Sequence, residues 1–237
     1  MFVGVIAAIA SLILATAASQ LKEKQDYNIE LDRKKNVLSC LGSSVKIDGL
    51  SNEDIISEYT KRIKEIFITL GGDTINNFSP NQLIVEVNSV SGMTDYYCPI
   101  LKDTLECLPI YSASSPKASI MPITGKGLWS TLYGYIALEE DHNTIKGLTF
   151  YKHKETAGLG GEIEKLWFKD QFKNKKIFDN NNNFVSIKVL KGISSENNKH
   201  AVNGISGATV TSRGVMNLLY RDLSRYLPFI NKITNYE

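Results

Sequence analysis

The stretch GKGLWSTLYGYIALEEDHNTIKGLTFYKH, residues 125–153, decides the fold. Trp129, Tyr133 and Tyr135 occupy odd positions in it, and they alternate with the apolar even positions 128, 132 and 136. A period of two residues is that of a β-strand. Residues 139–143 form a polar turn, and residues 144–153 return as a second apolar and aromatic run. The pattern therefore predicts a β-hairpin with one aromatic face.

The sequence after this hairpin predicts two helices and a strand. ETAGLGGEIEKLWFKDQF, residues 155–172, is a glycine-rich loop that leads into a predicted amphipathic helix. Its apolar positions are Ile163, Leu166, Trp167 and Phe172. A polar turn at 180–183 precedes a predicted strand at 184–192. NGISGATVTSRGVMNLLYRDLSRYLPFI, residues 203–230, begins with small residues and ends as a helix, for which Thr211 or Ser212 is the predicted N-cap.

The sequence before the hairpin predicts helices followed by strands. Residues 21–42 are rich in charges and predict a helix that stops at Gly42. Ser51, with Asp54 three residues later, marks the start of a second predicted helix whose apolar spacing continues to Phe67. Between residues 71 and 122, short β-leaning runs are broken by Asn, Ser and Pro, which predicts strands with irregular connections.

The overall composition is that of a globular domain. The 237 residues include 27 Lys and Arg against 25 Asp and Glu, and 43% are hydrophobic. These values exclude a disordered tail protein, a fibrous repeat and a strongly basic nucleic-acid binder. The average conceals an amino-terminal segment that differs from the rest, because no charged residue precedes Lys22.

That uncharged segment predicts a membrane anchor. Residues 1–21 read MFVGVIAAIASLILATAASQL, and about 20 apolar residues are needed for a helix to cross the hydrocarbon core. A cleaved signal peptide is the alternative, but such a peptide begins with a positively charged region, which is missing here. We therefore expect a transmembrane anchor at 1–21. Its abrupt apolar start suggests a missing polar leader.

The cysteines and histidines give no metal-binding pattern. Cys40, Cys98 and Cys107 are too few and too widely spaced for a zinc site, and the three histidines show no ligand spacing. Cys98 and Cys107 are compatible with a disulfide in an oxidising compartment and equally with two free thiols. We expect no metal site.

The small-residue run SGATVTS, residues 206–212, is a candidate anion site. It places four hydroxyl groups and an open backbone at the start of a predicted helix, where free N–H groups and the helix dipole favour a phosphate. The run lacks the lysine of a Walker loop, and no G-x-G-x-x-G follows a strand. Nucleoside triphosphates and dinucleotides are therefore excluded as its ligands.

SGATVTS resembles the flavinylation motif of the FMN-binding domain family, in which the threonine after Gly-Ala carries FMN through a phosphoester bond. In this sequence that threonine is Thr209. Residues 21–38, 125–138 and 147–164 also resemble, in the same order, the C-subunit branch of that family, found in sodium-translocating NADH:quinone oxidoreductases of bacterial inner membranes. Two positions depart from the family pattern: Asn203 replaces the usual Asp, and Ala157 replaces Pro. Because Asn keeps an acceptor oxygen, we expect the site to survive.

Pattern and resemblance together predict an α+β protein. We expect a single N-terminal transmembrane helix at 1–21, membrane-proximal helices and strands at 22–120, and an FMN-binding domain with an antiparallel β-sheet and flanking helices at 121–237. The resemblance implies a covalent-FMN electron carrier that relays electrons from NADH toward quinone with sodium export, as one subunit of an enzyme. The implied partners are the A, B, D, E and F subunits, a flavin transferase during maturation, and membrane lipid, with no nucleic acid.

The resemblance also implies a set of cofactor-binding residues around Thr209. Ser206, Gly207 and Ala208 would keep the approach to Thr209 narrow, and Thr211 would bond the phosphate oxygens. The remaining candidates lie elsewhere in the sequence and would contact the flavin ring or its edge. They are Glu155, Thr156, Leu159 and Gly160 of the glycine-rich loop, together with Lys191 and Trp129.

The sequence leaves open the membrane topology and two alternative functions. Lysines and arginines follow the anchor, so the positive-inside rule alone places the domain in the cytoplasm, whereas the resemblance places it in the periplasm. We follow the resemblance, because long domains translocate largely regardless of charge. The alternatives are the flavin-carrying G subunit of an Rnf-type electron-transport complex and a membrane-anchored binding module without flavin.

Overall fold

A computed structural model describes residues 2–42, 45, 47, 49–76, 78–100, 103–192 and 197–234. The helices are α1 Phe2–Ser39, α2 Asn52–Arg62, α3 Leu166–Lys169 and α4 Thr209–Thr234. The strands are β1 Ile63–Thr69, β2 Thr74–Ile75, β3 Ile84–Val87, β4 Thr94–Ile100, β5 Asp103–Ser114, β6 Lys117–Lys126, β7 Thr131–Glu139, β8 Ile145–Lys152, β9 Lys188–Leu190 and β10 Ala201–Asn203. The α+β class predicted from the sequence is confirmed.

Helix α1 unites the apolar segment and the charged segment that follows it. Over the described residues it is the one helix long and apolar enough to cross a membrane, and no residue of its most apolar 18-residue stretch is buried against the described part of the chain. Its 38 residues are about 57 Å long, which is nearly twice the thickness of the hydrocarbon core. The helix therefore extends well beyond that thickness. It ends shortly before Gly42, whose φ of +67° suits glycine, as predicted.

The charged end of α1 is fastened to the sheet. The guanidinium of Arg33 donates to Glu30 at 2.6 Å and to Glu65 of β1 at 2.8 Å, and it lies over the rings of Tyr59 and Tyr111. Arg33 is half-buried, so salt screens its ion pairs less than it screens exposed ones. These contacts join α1, α2, β1 and β5 at one place.

An antiparallel sheet forms the centre of the described structure. Its strand order is β2-β1-β5-β6-β7-β8, and the ribbon β3-β4 is added through a pairing between β4 and β5. The hairpin β7-β8 has Tyr135 opposite Thr149, and the rings of Tyr135 and Tyr151 stack at 5.3 Å. The predicted hairpin with an aromatic face is confirmed. Strands β9 and β10 form a separate parallel pair.

The two faces of the sheet bury different sets of side chains. One face packs against the end of α1 and against α2, and the buried residues there include Leu38, Ile55 and Ile120. The other face carries the larger core, in which Ile136 and Phe150 pack with α4 and with the segment after β8. The layers are thus two helices, the sheet, and α4 with its loops.

Two predicted helices differ from those in the structure. Ser51 caps α2, as predicted, by accepting the amide of Asp54, but α2 ends at Arg62 and Phe67 lies on strand β1. The segment 160–172 consists of three short helical turns instead of one amphipathic helix. The bends between these turns direct Ile163, Phe168 and Phe172 into the core. Leu166 is left 69% exposed.

Helix α4 begins earlier than predicted. Its first residue is Thr209, because Gly207, at φ +76°, turns the chain and the amide of Ser212 donates to the carbonyl of Ala208. Neither Thr211 nor Ser212 is the N-cap. Ser212 acts from inside the first turn, where its hydroxyl accepts the amide of Ile205 at 3.1 Å.

The structure decides the state of the cysteines. Cys98 of β4 and Cys107 of β5 form a disulfide, and Cys40 is a buried free thiol whose sulfur donates to the carbonyl of Tyr135. The expected domain division after residue 120 falls within β6, and strands on both sides of it share one core. That division stays an interpretation of the sequence.

Gly147 of β8 provides a test of how α1 is seated on the hairpin. A methyl group at this position would overlap with the carbonyl oxygen of Cys40, a backbone atom that moves only if α1 moves. We expect Gly147→Ala to lower the free energy of unfolding by about 1–3 kcal/mol, the usual cost of overpacking. The measurement is urea unfolding of the detergent-solubilised chain, followed by circular dichroism. Gly71→Ala is the matched control, since its methyl group meets its nearest atom at 3.6 Å and should cost little.

Candidate functional site

A pocket of about 490 Å³ lies where α4 begins. One wall is β9 with the two residues that follow it, and the other is the turn 203–207 with the first two turns of α4. The residues that line it are Val189, Leu190, Lys191, Gly192, Asn203, Gly204, Ile205, Ser206, Gly207, Thr209, Ser212, Arg213 and Met216. The run SGATVTS therefore forms the rim of a cavity.

Thr209 is an exposed hydroxyl at a helix N-terminus. As the first residue of α4, it lies where the unpaired backbone N–H groups and the positive end of the helix dipole are found. Arg213, one turn later, and Lys191, on the opposite wall, add two cations to the same pocket. This environment favours an anion such as a phosphate.

Gly207 brings a second loop to the rim. Its φ is +76°, and a methyl group there would lie 2.9 Å from Cδ2 of Leu159. The side chain of Leu159, from the glycine-rich loop, thus lies beside the turn that precedes Thr209, and it is 43% exposed. The carbonyl of Thr156 accepts the amides of Leu159 and Gly161, which holds the loop in shape.

The carboxylate of Glu155 joins three segments that are far apart in the sequence. It accepts the amides of Leu128 at 3.1 Å, Trp129 at 2.9 Å and Ser130 at 3.3 Å. It also accepts the hydroxyl of Thr211 on α4 at 2.5 Å. Charge-assisted hydrogen bonds of this kind are stronger than neutral ones. One buried carboxylate therefore holds the loop before β7, the loop after β8 and the first turn of α4 together.

Packing around this carboxylate requires glycine. A methyl group at Gly127 would lie 2.6 Å from Oε1 of Glu155, and one at Gly160 would lie 2.6 Å from Oγ1 of Thr211. Burial raises the pKa of Glu155, but the bonds from Thr211 and from the three amides outweigh it, so that the pKa is lowered overall. Glu155 is therefore an ionised acceptor at neutral pH.

The structure brings most of the predicted site residues together. Lys191, Ser206, Gly207 and Thr209 line the pocket. Ala208 is buried at the start of α4, and Gly160 packs against Glu155 and Thr211. Trp129 does not line this pocket; its side chain is 66% exposed, and its backbone amide is what contacts Glu155.

One predicted residue lies elsewhere than expected, and one pocket residue was not predicted. The hydroxyl of Thr211 is committed to Glu155 and the residue is 1% exposed, so it faces away from the pocket in which phosphate binding was predicted. Arg213 was missed by the sequence reasoning, although a cation four residues after Thr209 is on the same helix face and could have been found by that spacing. Among the described residues, no cluster of His, Cys, Asp or Glu could hold a metal ion.

Comparison with known proteins assigns a class to this geometry. The sequence profile of the FMN-binding domain matches residues 127–224, which include the pocket and the residues around Glu155. Among solved structures, the C subunit of the Na+-translocating NADH-quinone reductase from Parabacteroides distasonis superposes with a TM-score of 0.70 and 30% identity, over 89% of this chain and 96% of that one. NqrC of Shewanella oneidensis superposes with a TM-score of 0.67 and 26% identity, over 86% and 97%.

Curated relatives agree with these structures. The C subunit of the Na+-translocating NADH-quinone reductase of Haemophilus ducreyi is 35% identical over 88% of this chain and 82% of its own length. The corresponding protein of Yersinia pestis is 30% identical over 95% of this chain and 88% of its own length. The chain belongs to the family of the C subunits of Na+-translocating NADH-quinone reductases.

Glu155→Gln tests whether the carboxylate holds the site together. Glutamine keeps one acceptor oxygen and turns an NH₂ group toward donors, which leaves buried hydrogen bonds unmade. We expect the free energy of unfolding to fall by about 2 kcal/mol at pH 7, measured by urea unfolding in detergent. The control is Glu164→Gln, a half-exposed glutamate nearby whose ion pairs contribute little.

The pH dependence of the same comparison gives a second check. The pKa of Glu155 in the folded chain lies below its ordinary value of 4.5, so the carboxylate contributes its full stability above that value. The contribution is lost as the pH falls through the folded pKa. The stability gap between wild type and Glu155→Gln should thus be constant near neutral pH and narrow below about pH 4.5. A gap that widens in acid would contradict the assignment.

Proposed function

We propose that this chain carries FMN on Thr209 through a phosphoester bond and serves as an electron-carrier subunit of a Na+-translocating NADH-quinone reductase. The observation that carries the proposal is the exposed Thr209 hydroxyl at the N-terminus of α4, in a pocket with two cations. Membership of the C-subunit family supports the assembly. The FMN-binding domain match over 127–224 supports the cofactor.

The pocket suits the phosphate end of FMN. The first-turn amides of α4 would donate to phosphate oxygens, and Arg213 and Lys191 would offset their charge. Gly207 adds no side chain of its own to the approach to Thr209, and Leu159 lies beside it. In the phosphoester, Oγ1 of Thr209 replaces one phosphate oxygen, so the chain gains the mass of FMN less one water.

The glycine-rich loop would contact the ring system of the cofactor. Leu159 lies beside Gly207 with its side chain partly exposed, so an apolar surface is available next to the attachment point. Thr156, exposed on this loop, would contact the ring edge, and the buried Gly160 would hold the loop against Glu155 and Thr211. The side chain of Trp129 is 66% exposed and would reach the ring only after a change of rotamer. FMN supplies the electron-transfer chemistry when bound, whereas the chain supplies attachment and orientation.

Glu155 and Thr211 would act as positioning residues. Their bond fixes the first turn of α4 against the loop before β7, and Thr209 is two residues from Thr211. Rigid support of this kind keeps a tethered cofactor at a constant distance from its electron donor and acceptor.

The remaining steps of the enzyme would belong to its other subunits. We propose that NADH oxidation, quinone reduction and sodium export occur with the A, B, D, E and F subunits, because this chain has no dinucleotide fingerprint. A flavin transferase would attach FMN during maturation. The chain is thus part of an enzyme and does not catalyse the whole reaction by itself.

We propose that α1 anchors the chain in the bacterial inner membrane with the domain on the periplasmic side. Residues 2–21 would span the bilayer, and the exposed residues 22–29 would add about 12 Å of helix before α1 packs on the domain. The disulfide Cys98–Cys107 supports the periplasmic side, since disulfides persist in oxidising compartments and are rare in the cytoplasm.

Thr209→Val tests covalent attachment. The full chain is co-expressed with a flavin transferase and its intact mass is measured. We expect wild type to carry an added mass of FMN less one water, and the valine variant, which is similar in shape but has no hydroxyl, to carry none.

Thr60→Val is the matched control, because Thr60 is an exposed threonine on α2 that does not line the pocket. It should keep the adduct. An unmodified wild-type chain would instead favour a binding module without flavin. An adduct retained in Thr209→Val would show that the wrong acceptor had been chosen.

The topology is tested by trapping the redox state of the cysteines as it is in the cell. Free thiols are blocked with N-ethylmaleimide in denaturant after acid quenching, disulfides are reduced, and the new thiols are labelled with a polyethylene-glycol maleimide. A periplasmic domain should add two labels on a Cys40→Ala background, because Cys98 and Cys107 are protected as a disulfide. A chain without label would place the domain in the cytoplasm.

A further inference from the structure

Strand β3 is an edge strand with an apolar surface. Its sequence is Ile84-Val85-Glu86-Val87, and among the described residues it pairs only with β4. All four residues are exposed, as is the turn at 88–91 that follows. The exposed fractions of the three apolar side chains lie between 41% and 52%.

An exposed apolar edge is a site at which another strand can add. The outer side of such a strand offers unpaired N–H and C=O groups, and natural proteins normally protect it with charges, bulges or another chain. Here Glu86 is the single charge on β3, and no described element lies over it. The flanking valines make the edge suitable for a strand that adds alongside.

The charge on this edge indicates what kind of strand would pair with β3. Glu86 is directly opposite Asp95 of β4, and like charges in that position destabilise a sheet. Asp95 is paired with Arg225 at 3.1 Å, whereas Glu86 has no ion pair within the described part of the chain. Desolvation and the carboxylates of Asp95 and Glu86 raise the pKa of Tyr97, which agrees with a negative potential on this face.

Strand β4, which pairs with β3, is fixed to its neighbours before any partner arrives. The disulfide between Cys98 and Cys107 joins β4 to β5, and Arg225 of α4 donates to the carbonyl of Thr94 at 2.8 Å. A preorganised edge loses little conformational freedom on binding, which favours association.

We propose that β3 is the edge at which another subunit of the same complex adds an extended strand. That strand would place a Lys or Arg opposite Glu86 and apolar side chains opposite Val85 and Val87. The partner's membership of the complex rests on the proposed function. A second copy of this chain fits poorly, because the antiparallel register that pairs Val85 with Val87 also sets Glu86 against Glu86.

The position of the edge is compatible with electron transfer. The turn after β3 and strand β4 contact α4 through Arg221 and Arg225, which follow Thr209 by 12 and 16 residues. That is about 18–24 Å along the helix axis. A subunit docked on β3 would therefore hold the domain while leaving the flavin end of α4 accessible.

Charge reversal at Glu86 tests the proposal. The whole complex is expressed with an affinity tag on this chain, and the recovery of each other subunit is measured by quantitative mass spectrometry. We expect Glu86→Lys to lower the recovery of at least one subunit about tenfold, because a cation would face the partner's cation. Glu140→Lys is the matched control: Glu140 is an exposed turn residue next to β7, and its variant should leave recovery unchanged.

Crosslinking identifies the occupant. A benzoylphenylalanine at Val85 in the same complex should crosslink to another subunit on irradiation. The proposal would be overturned by a crosslink only to a second copy of this chain. Unchanged recovery of the other subunits with Glu86→Lys would overturn it as well, and so would a wild-type preparation that contains no other subunit. The flavin adduct is measured on every variant. Its presence with unchanged recovery would refute only the docking edge, and its absence from wild type would refute the proposed flavin attachment.

Discussion

The geometry of the site depends on one buried carboxylate, that of Glu155. Its two oxygens accept three successive amides from the loop before β7 and one hydroxyl from α4. A buried carboxylate must be matched by donors, because an unmatched one costs several kcal/mol. These four donors come from two segments, the loop at 128–130 and the first turn of α4. The carboxylate therefore forces loops separated by tens of residues to meet, and Thr209 is held where they meet.

The membrane anchor connects to this carboxylate through the hairpin. Arg33 fixes the end of α1 to β1, and Cys40 packs on the hairpin next to Gly147 and the carbonyl of Tyr135. Strand β8 ends at Lys152, so Glu155 follows the hairpin by three residues. Packed elements shift little relative to one another, because protein interiors have low compressibility. The height of Thr209 above the end of the apolar segment is thus set by helix length and by a few close contacts.

The sequence predicted those features that depend on neighbours along the chain. The alternation around Tyr133 and Tyr135, the cap at Ser51 and the uncharged start of α1 are local signals, and the corresponding elements are present. The predictions failed where contacts between residues far apart in the sequence determine the local structure. The apolar positions after Gly160 were interpreted as one helix, but packing of Phe168 and Phe172 into the core breaks it into short turns.

The sequence by itself determined the class of the protein and the residue proposed to carry the cofactor, because the SGATVTS motif and the hairpin are contiguous stretches. Only the tertiary structure decided that Thr211 belongs to Glu155, that Arg213 and Lys191 share one pocket, and that Cys98 pairs with Cys107. Each of these depends on a contact between residues that the fold, and not the chain order, brings within bonding distance. A hydroxyl next to a phosphate motif looks the same in sequence whether it faces the ligand or a buried carboxylate.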